Sequence, residues 1–236
     1  MMTKKFLNEF PGMIVIKNFF DYTVTDEPIE VKEFDRLPED IKQTIIETGS
    51  ELIYKQPDKA IPIIENLMTK ITDLPMLYNH LSVAYQNIGN YEKSKEITVE
   101  CYKKFPDYIM GRCNYAAACL VENKPFMVTV IFNDKYDLQA LYPKRKIFHV
   151  DEYVAFNRVL CMYFYQIEDI ENAKIYYNKL LHHTTDKHKQ LIKFLKKVLY
   201  PSLFRRICNW LTIKISYILG CTNEELKSYR HTYKIK

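Results

Sequence analysis

The stretch "LYNHLSVAYQNIGNYEKSKEITVECYKKFPD", residues 77–107, decides the fold class of this chain. Gly89 permits the positive φ angle at which many helices end, and Pro106 cannot continue a helix. The stretch therefore predicts two helices that are joined near Gly89. Its regularly spaced residues raise the question of whether the helix pair is repeated. These residues are Tyr78, Leu81, Tyr85, Gly89, Tyr91 and Pro106.

Four copies of the pair fit a 34-residue frame that begins at Pro75. Small residues at positions 8 and 20 of the frame let two antiparallel helices approach closely. The copies are 41–74, 75–108, 109–142 and, after an 11-residue insertion at 143–153, 154–187. Glu47, Thr98 and Lys135 break the pattern. The residues at positions 8 and 20 are, copy by copy, Thr48 and Ala60, Ser82 and Ser94, Ala116 and Val128, Cys161 and Ala173.

This frame resembles the tetratricopeptide repeat, whose consensus has large residues at positions 4, 7, 11 and 24, small residues at 8, 20 and 27, Gly at 15 and Pro at 32. The resemblance covers about residues 41–187. It implies an all-α fold, a right-handed α-solenoid of helix hairpins in which neighbouring copies share one core. Thr98 stands where the consensus has a large apolar residue, and the copies 41–74 and 109–142 are degenerate.

The flanks of the array are expected to seal its two ends, as solenoids require. Residues 1–40 form an N-terminal extension, of which 11–37 would cover the first copy. Residues 188–236 form a basic C-terminal part with capping helices. The side chains expected to cover the last copy are Leu191, Phe194, Leu195 and Val198.

No catalytic constellation is evident in the sequence. The motifs HExxH and GxSxG and a glycine-rich phosphate loop are absent, and the chain has only five glycines. Adjacent helical residues point about 100° apart, so the cluster of His182, His183, Asp186 and His188 is interpreted as a solvated helix end rather than a metal site. We therefore expect no enzyme, no cofactor and no metal.

The resemblance also implies where a ligand would bind, because concave positions of the first helices receive extended peptides in such arrays. The lysine and asparagine pattern that binds chaperone C-termini is matched only at Asn114, which disfavours that ligand. The candidate groove residues that the family positions select are Asn79, His80, Gln86, Asn87, Asn114, Arg158 and Gln166.

Charge is unevenly distributed along the chain. Residues 187–236 carry twelve basic and two acidic residues, whereas residues 1–186 carry 22 basic and 27 acidic ones. Residues 199–219 place an apolar stripe opposite polar residues, which is typical of a capping helix. The alternatives are an amphipathic helix on an anionic membrane surface, or contact with an acidic partner or another copy. The residues that would contact lipid or an acidic partner are Arg205, Arg206, Trp210 and Lys214.

The sequence thus predicts a non-catalytic protein-interaction scaffold that binds a peptide or partner helix in its groove. A peripheral membrane adaptor is the alternative, and nucleic acid and small-molecule substrates are disfavoured. No CxxC pair occurs among six cysteines, no secretory signal is evident, and no uncharged apolar run is long enough to span a bilayer. These features predict a cytoplasmic protein with reduced thiols, with a peripheral membrane location as the alternative.

Overall fold

The computed structural model describes residues 22–201, and this part of the chain is predominantly helical. Its helices follow one another in pairs, and a short two-stranded sheet lies beside the last pair. The elements are, in order, β1 (Thr23–Thr25), α1 (Lys32–Asp35), α2 (Glu39–Glu47), a π-helical segment (Thr48–Leu52), α3 (Ile53–Lys55), α4 (Pro57–Lys70), α5 (Pro75–Asn87), α6 (Tyr91–Lys104), α7 (Ile109–Val121), α8 (Phe126–Phe132), α9 (Leu138–Leu141), β2 (Ile147–His149), α10 (Val150–Gln166), α11 (Ile170–His183), a 3₁₀ turn (Asp186–His188) and α12 (Lys189–Leu199).

Helices joined by short turns pack against each other and against the next pair. The first helices of the pairs are the α2–α3 helix with its π segment, α5, α7 and α10. The second helices are α4, α6, α8 and α11. Their turns are built alike, because the residue at frame position 15 has a positive φ in three copies: 80° at Gly89, 59° at Asn123 and 66° at Glu168. This left-handed residue ends one helix and lets the chain reverse.

The residues at frame positions 8 and 20 occupy the contact between the two helices of each pair. All eight of them, named above, are buried. At Ser82 the contact is polar: its Oγ lies 3.0 Å from Oγ of Ser94 and 2.8 Å from Oγ1 of Thr98. Thr98 also donates to the carbonyl oxygen of Ser94. Thr98 therefore departs from the apolar pattern because the two serines provide partners for its hydroxyl.

The third pair has a shortened second helix. Helix α8 ends after seven residues at Phe132, where Asn133 adopts a φ of 51°. Lys135 thus lies beyond the helix and is exposed, which explains its poor fit to the frame. The short helix α9 supplies Leu138 and Leu141 to the same core instead.

The N-terminal segment runs between the cores of the first and last pairs. Strand β1 pairs in parallel with β2, and the ring of Tyr22 packs edge-on against Phe148 at 5.1 Å. Further along the chain, Val31, Phe34 and Leu37 pack on the core of the first two pairs. The sequence predicted a cover for the first copy only. The sheet was not predicted, because three-residue strands carry too little periodicity to be recognised.

Helix α10 begins at Val150, within the segment predicted as an insertion. A capping box begins it: His149 Nδ1 accepts from the backbone of Asp151, and Glu152 accepts from the N–H of His149. Glu152 is also held by both terminal nitrogens of Arg145, at 2.9 and 2.5 Å. Arg145 Nε donates to the carbonyl of Ile147, so this pair covers the outer edge of β2.

Helix α12 packs on α11 through Leu191, Ile192, Leu195 and Leu199. The expectation that Phe194 covers the last copy is wrong, because its side chain is 54% exposed. Positions 191, 195 and 199 repeat every four residues along one line, and position 194 lies about 100° from 195. Arg205, Arg206, Trp210 and Lys214 lie outside the described residues. Within residues 22–201, no helix combines the length and apolarity needed to cross a bilayer.

Candidate ligand-binding surface

The predicted groove residues lie on three adjacent first helices. Helix α7 packs against both α5 and α10, so these helices form one row. Asn79 in α5 and Asn114 in α7 face each other, and Asn114 Nδ2 donates to Asn79 Oδ1 over 2.6 Å. The crevice beside them is too narrow to admit a water molecule. These two side chains therefore bind each other and tie two repeats together.

Two further candidates tie successive repeats at the C-terminal ends of the first helices. Asn87 Nδ2 donates to the carbonyl oxygen of Ile53 at 2.7 Å. Gln166 Nε2 donates to the carbonyl of Leu120 at 3.2 Å and to Oδ1 of Asn123 at 2.7 Å. Asn87 and Gln166 share frame position 13, and each reaches the end of the preceding first helix. Carbonyls at helix ends need such donors, so these amides contribute to stability.

His80 is a packing residue. Its imidazole lies against the backbone of Gly49, in the π-helical segment of the preceding first helix. Nδ1 of His80 is buried and has no hydrogen-bond partner among the described residues. Burial lowers the pKa of His80 to about 4, so the ring is neutral near pH 7.

Gln86 and Arg158 are the candidates whose side chains stay available. Gln86 is exposed and Arg158 is partly exposed. Within residues 22–201 neither side chain makes a hydrogen bond or an ion pair. The Arg158 guanidinium is near Cys113, where its positive charge partly offsets the burial that raises the pKa of this thiol to about 12. Arg158 therefore presents, where α10 meets α7, a positive charge that no acidic side chain of the described part compensates.

Sequence analysis missed Gly49, the residue on which the first interrepeat contact depends. A Cβ atom built at Gly49 would lie 2.7 Å from Nδ1 of His80, well inside van der Waals contact. The available signal was a glycine in the interior of a helical pattern, which often marks a close approach of two backbones or side chains. The π-helical turn around it has no comparable sequence signal.

The cysteine and histidine side chains discussed next are buried or make contacts within the chain. Burial raises the pKa of Cys101 and of Cys161 to about 12, so these thiols stay protonated. The histidine cluster is divided, since His183 packs edge-on against the ring of Tyr153 and His188 lies 3.3 Å from Asp151. The described part of the chain contains no group of three His, Cys, Asp or Glu side chains placed to hold a metal ion.

No protein-family model, no curated protein and no solved structure matches this chain. The evidence for a function therefore lies in the chain's own geometry. On the row of three first helices, that geometry combines four interrepeat ties with the guanidinium of Arg158, which has no counter-charge in the described part.

Proposed function

We propose that this protein is a tetratricopeptide-like right-handed α-solenoid that acts as a non-catalytic scaffold in the cytoplasm. Three observations support the fold proposal. The helices follow in pairs, the turns share a left-handed residue at position 15, and positions 8 and 20 are buried in all four copies. Repeats of this kind expose an extended surface on which a peptide can lie.

The ligand of this scaffold is a peptide or partner helix that lies along α5, α7 and α10. The observation that carries the proposal is the guanidinium of Arg158 on this row, which has no acidic partner within residues 22–201. A partly buried cation is stabilised when a carboxylate approaches it, and Arg binds a carboxylate through two parallel hydrogen bonds. The ligand therefore carries an acidic side chain that pairs with Arg158, and Gln86 supplies a second polar contact.

Selection from a phage-displayed peptide library against the full chain tests this function. Selected peptides are expected to contain Asp or Glu. Fluorescence anisotropy should show that Arg158→Ala binds such a peptide at least about tenfold more weakly than the unmodified chain does, since a hydrogen bond to a charged group contributes about 1.5–3 kcal/mol. Lys103→Ala removes an exposed cation from α6 and serves as the control. Equal binding by both variants would place the ligand elsewhere, and failure to select any peptide would contradict the scaffold function.

A further inference from the structure

The outward face of α12 is strongly basic. Leu195 is 1% exposed and Leu199 is 6% exposed, which fixes the opposite side of the helix against α11. The helix contains no acidic residue. At 100° per residue, its lysines fall within about 100° of one another on the solvent side. All four are exposed: Lys189, Lys193, Lys196 and Lys197.

Three of these lysines lack a counter-charge in the part of the chain that the structure describes. Lys189 is paired with Asp186 at 3.0 Å. Within residues 22–201, Lys193, Lys196 and Lys197 form no ion pair. Like charges three and four residues apart on a helix repel each other. A negatively charged surface facing α12 would relieve this repulsion, so the charge arrangement favours an anionic partner.

An aromatic side chain lies beside the lysines. Phe194 is 54% exposed and is adjacent to Lys197 on the helix surface. Tyr200, at the end of the helix, is 48% exposed although it also contacts the ring of Tyr177. Lysines combined with exposed aromatic rings are typical of helices that rest on anionic bilayers. A polyanion in solution would use the lysines but gain little from Phe194.

We propose that the outward face of α12 docks on an anionic lipid bilayer. Lys193, Lys196 and Lys197 contact the headgroups, and Phe194 enters the interfacial layer. Because the apolar stripe of α12 is already packed on α11, the attachment is mainly electrostatic and reversible. This inference does not depend on the scaffold function, since α12 packs on a second helix and the peptide surface lies on the first helices.

Vesicle co-sedimentation of the full chain tests the proposal. Each lysine near an anionic surface contributes about 1 kcal/mol, so Lys193→Gln, Lys196→Gln and Lys197→Gln together should weaken binding to vesicles with about 30% phosphatidylserine by roughly a hundredfold. The matched control combines Lys59→Gln, Lys70→Gln and Lys103→Gln, three exposed lysines elsewhere, and should bind like the unmodified chain. Phosphatidylcholine vesicles and salt well above about 0.1 M should both abolish binding.

Phe194→Ala separates a bilayer from a soluble polyanion. It should weaken vesicle binding severalfold and leave binding to duplex DNA or poly-glutamate unchanged. The proposal is overturned if the full chain does not bind anionic vesicles, or if both triple variants lose vesicle binding equally. It is also overturned if binding survives the α12 variant and is lost with Arg205→Gln and Arg206→Gln. Tighter binding to DNA or poly-glutamate than to vesicles, unaffected by Phe194→Ala, would identify a different partner class.

Discussion

The imidazole of His80 in α5 lies so close to Gly49 that a side chain at position 49 could be accommodated only if the imidazole moved. This contact joins the first helix of the first pair to α5, the first helix of the second pair. It lies at the π-helical segment, where the helix departs from regular geometry. Gly49 and His80, which are 31 residues apart in the sequence, therefore contribute to the fit between the first two repeats together with the hydrogen bond from Asn87 to Ile53.

Gly49→Ala should lower the free energy of unfolding by about 1–3 kcal/mol, because the new methyl group overlaps the imidazole ring. Urea denaturation monitored by circular dichroism measures the change. His80→Ala in the same chain should restore much of the loss, because it removes the group that the methyl meets. If the effects of the two substitutions were additive, the contact would not be the cause.

The stability of the fold should depend on pH through His80. Its pKa is about 4 in the folded chain and 6.5 in an exposed histidine. The unfolded state therefore binds more protons between these values, so stability falls as the pH drops from about 6.5 to about 4 and the loss then levels off. The total is on the order of 3 kcal/mol.

Urea midpoints at several pH values, for the unmodified chain and for His80→Gln, isolate this contribution from that of the carboxylates. The variant should show a shallower decline over the same range. Parallel curves for the two proteins would contradict the buried, neutral state of His80.

Gln166→Leu should reduce the free energy of unfolding by about 1 kcal/mol, since the carbonyl of Leu120 and the amide of Asn123 lose their shared donor. Gln86→Leu is the matched control, because Gln86 is an exposed glutamine near the end of α5. It should change stability by less than about 0.5 kcal/mol. Equal losses for the two variants would mean that the tie between the third and fourth pairs contributes nothing.

Glu152→Gln should destabilise the start of α10 by about 2 kcal/mol, because Glu152 accepts from both Arg145 and the N–H of His149. Hydrogen exchange should accelerate in β2 and in the first turn of α10, with little change in α5. Asp58→Asn is a suitable comparison, since Asp58 is an exposed carboxylate in the first turn of another helix, α4. The role of the Arg145–Glu152 pair would be refuted by unchanged exchange in residues 147–153.

Sequence periodicity predicted those parts of the fold that depend on local pattern. The frame located the helix pairs, and Thr48, Ala60, Ser82 and Ser94 are buried where it places small residues. The sheet and the N-terminal connection between distant cores were not predictable, because they depend on pairing between residues more than a hundred positions apart.

The candidate groove residues fall into two groups, those whose side chains bind within the chain and those whose side chains stay available. The consensus positions selected polar residues on the first helices, but they carried no information about which amides bind within the chain. Asn79 and Asn114 were candidates for a ligand and instead bind each other, because the first helices pack closely enough for direct contact. Arg158 remained available, since no acidic residue of the described part reaches it.

Hydrogen exchange of the full chain, with and without a saturating library-selected acidic peptide, shows whether a peptide binds along α5, α7 and α10. Bound peptide should slow exchange in residues 75–87, 109–121 and 150–166, the first helices that form the proposed surface. It should leave residues 57–70 and 91–104, on second helices, unchanged. Protection confined to the second helices, or the same protection in the Arg158→Ala variant, would contradict a peptide-binding surface on α5, α7 and α10.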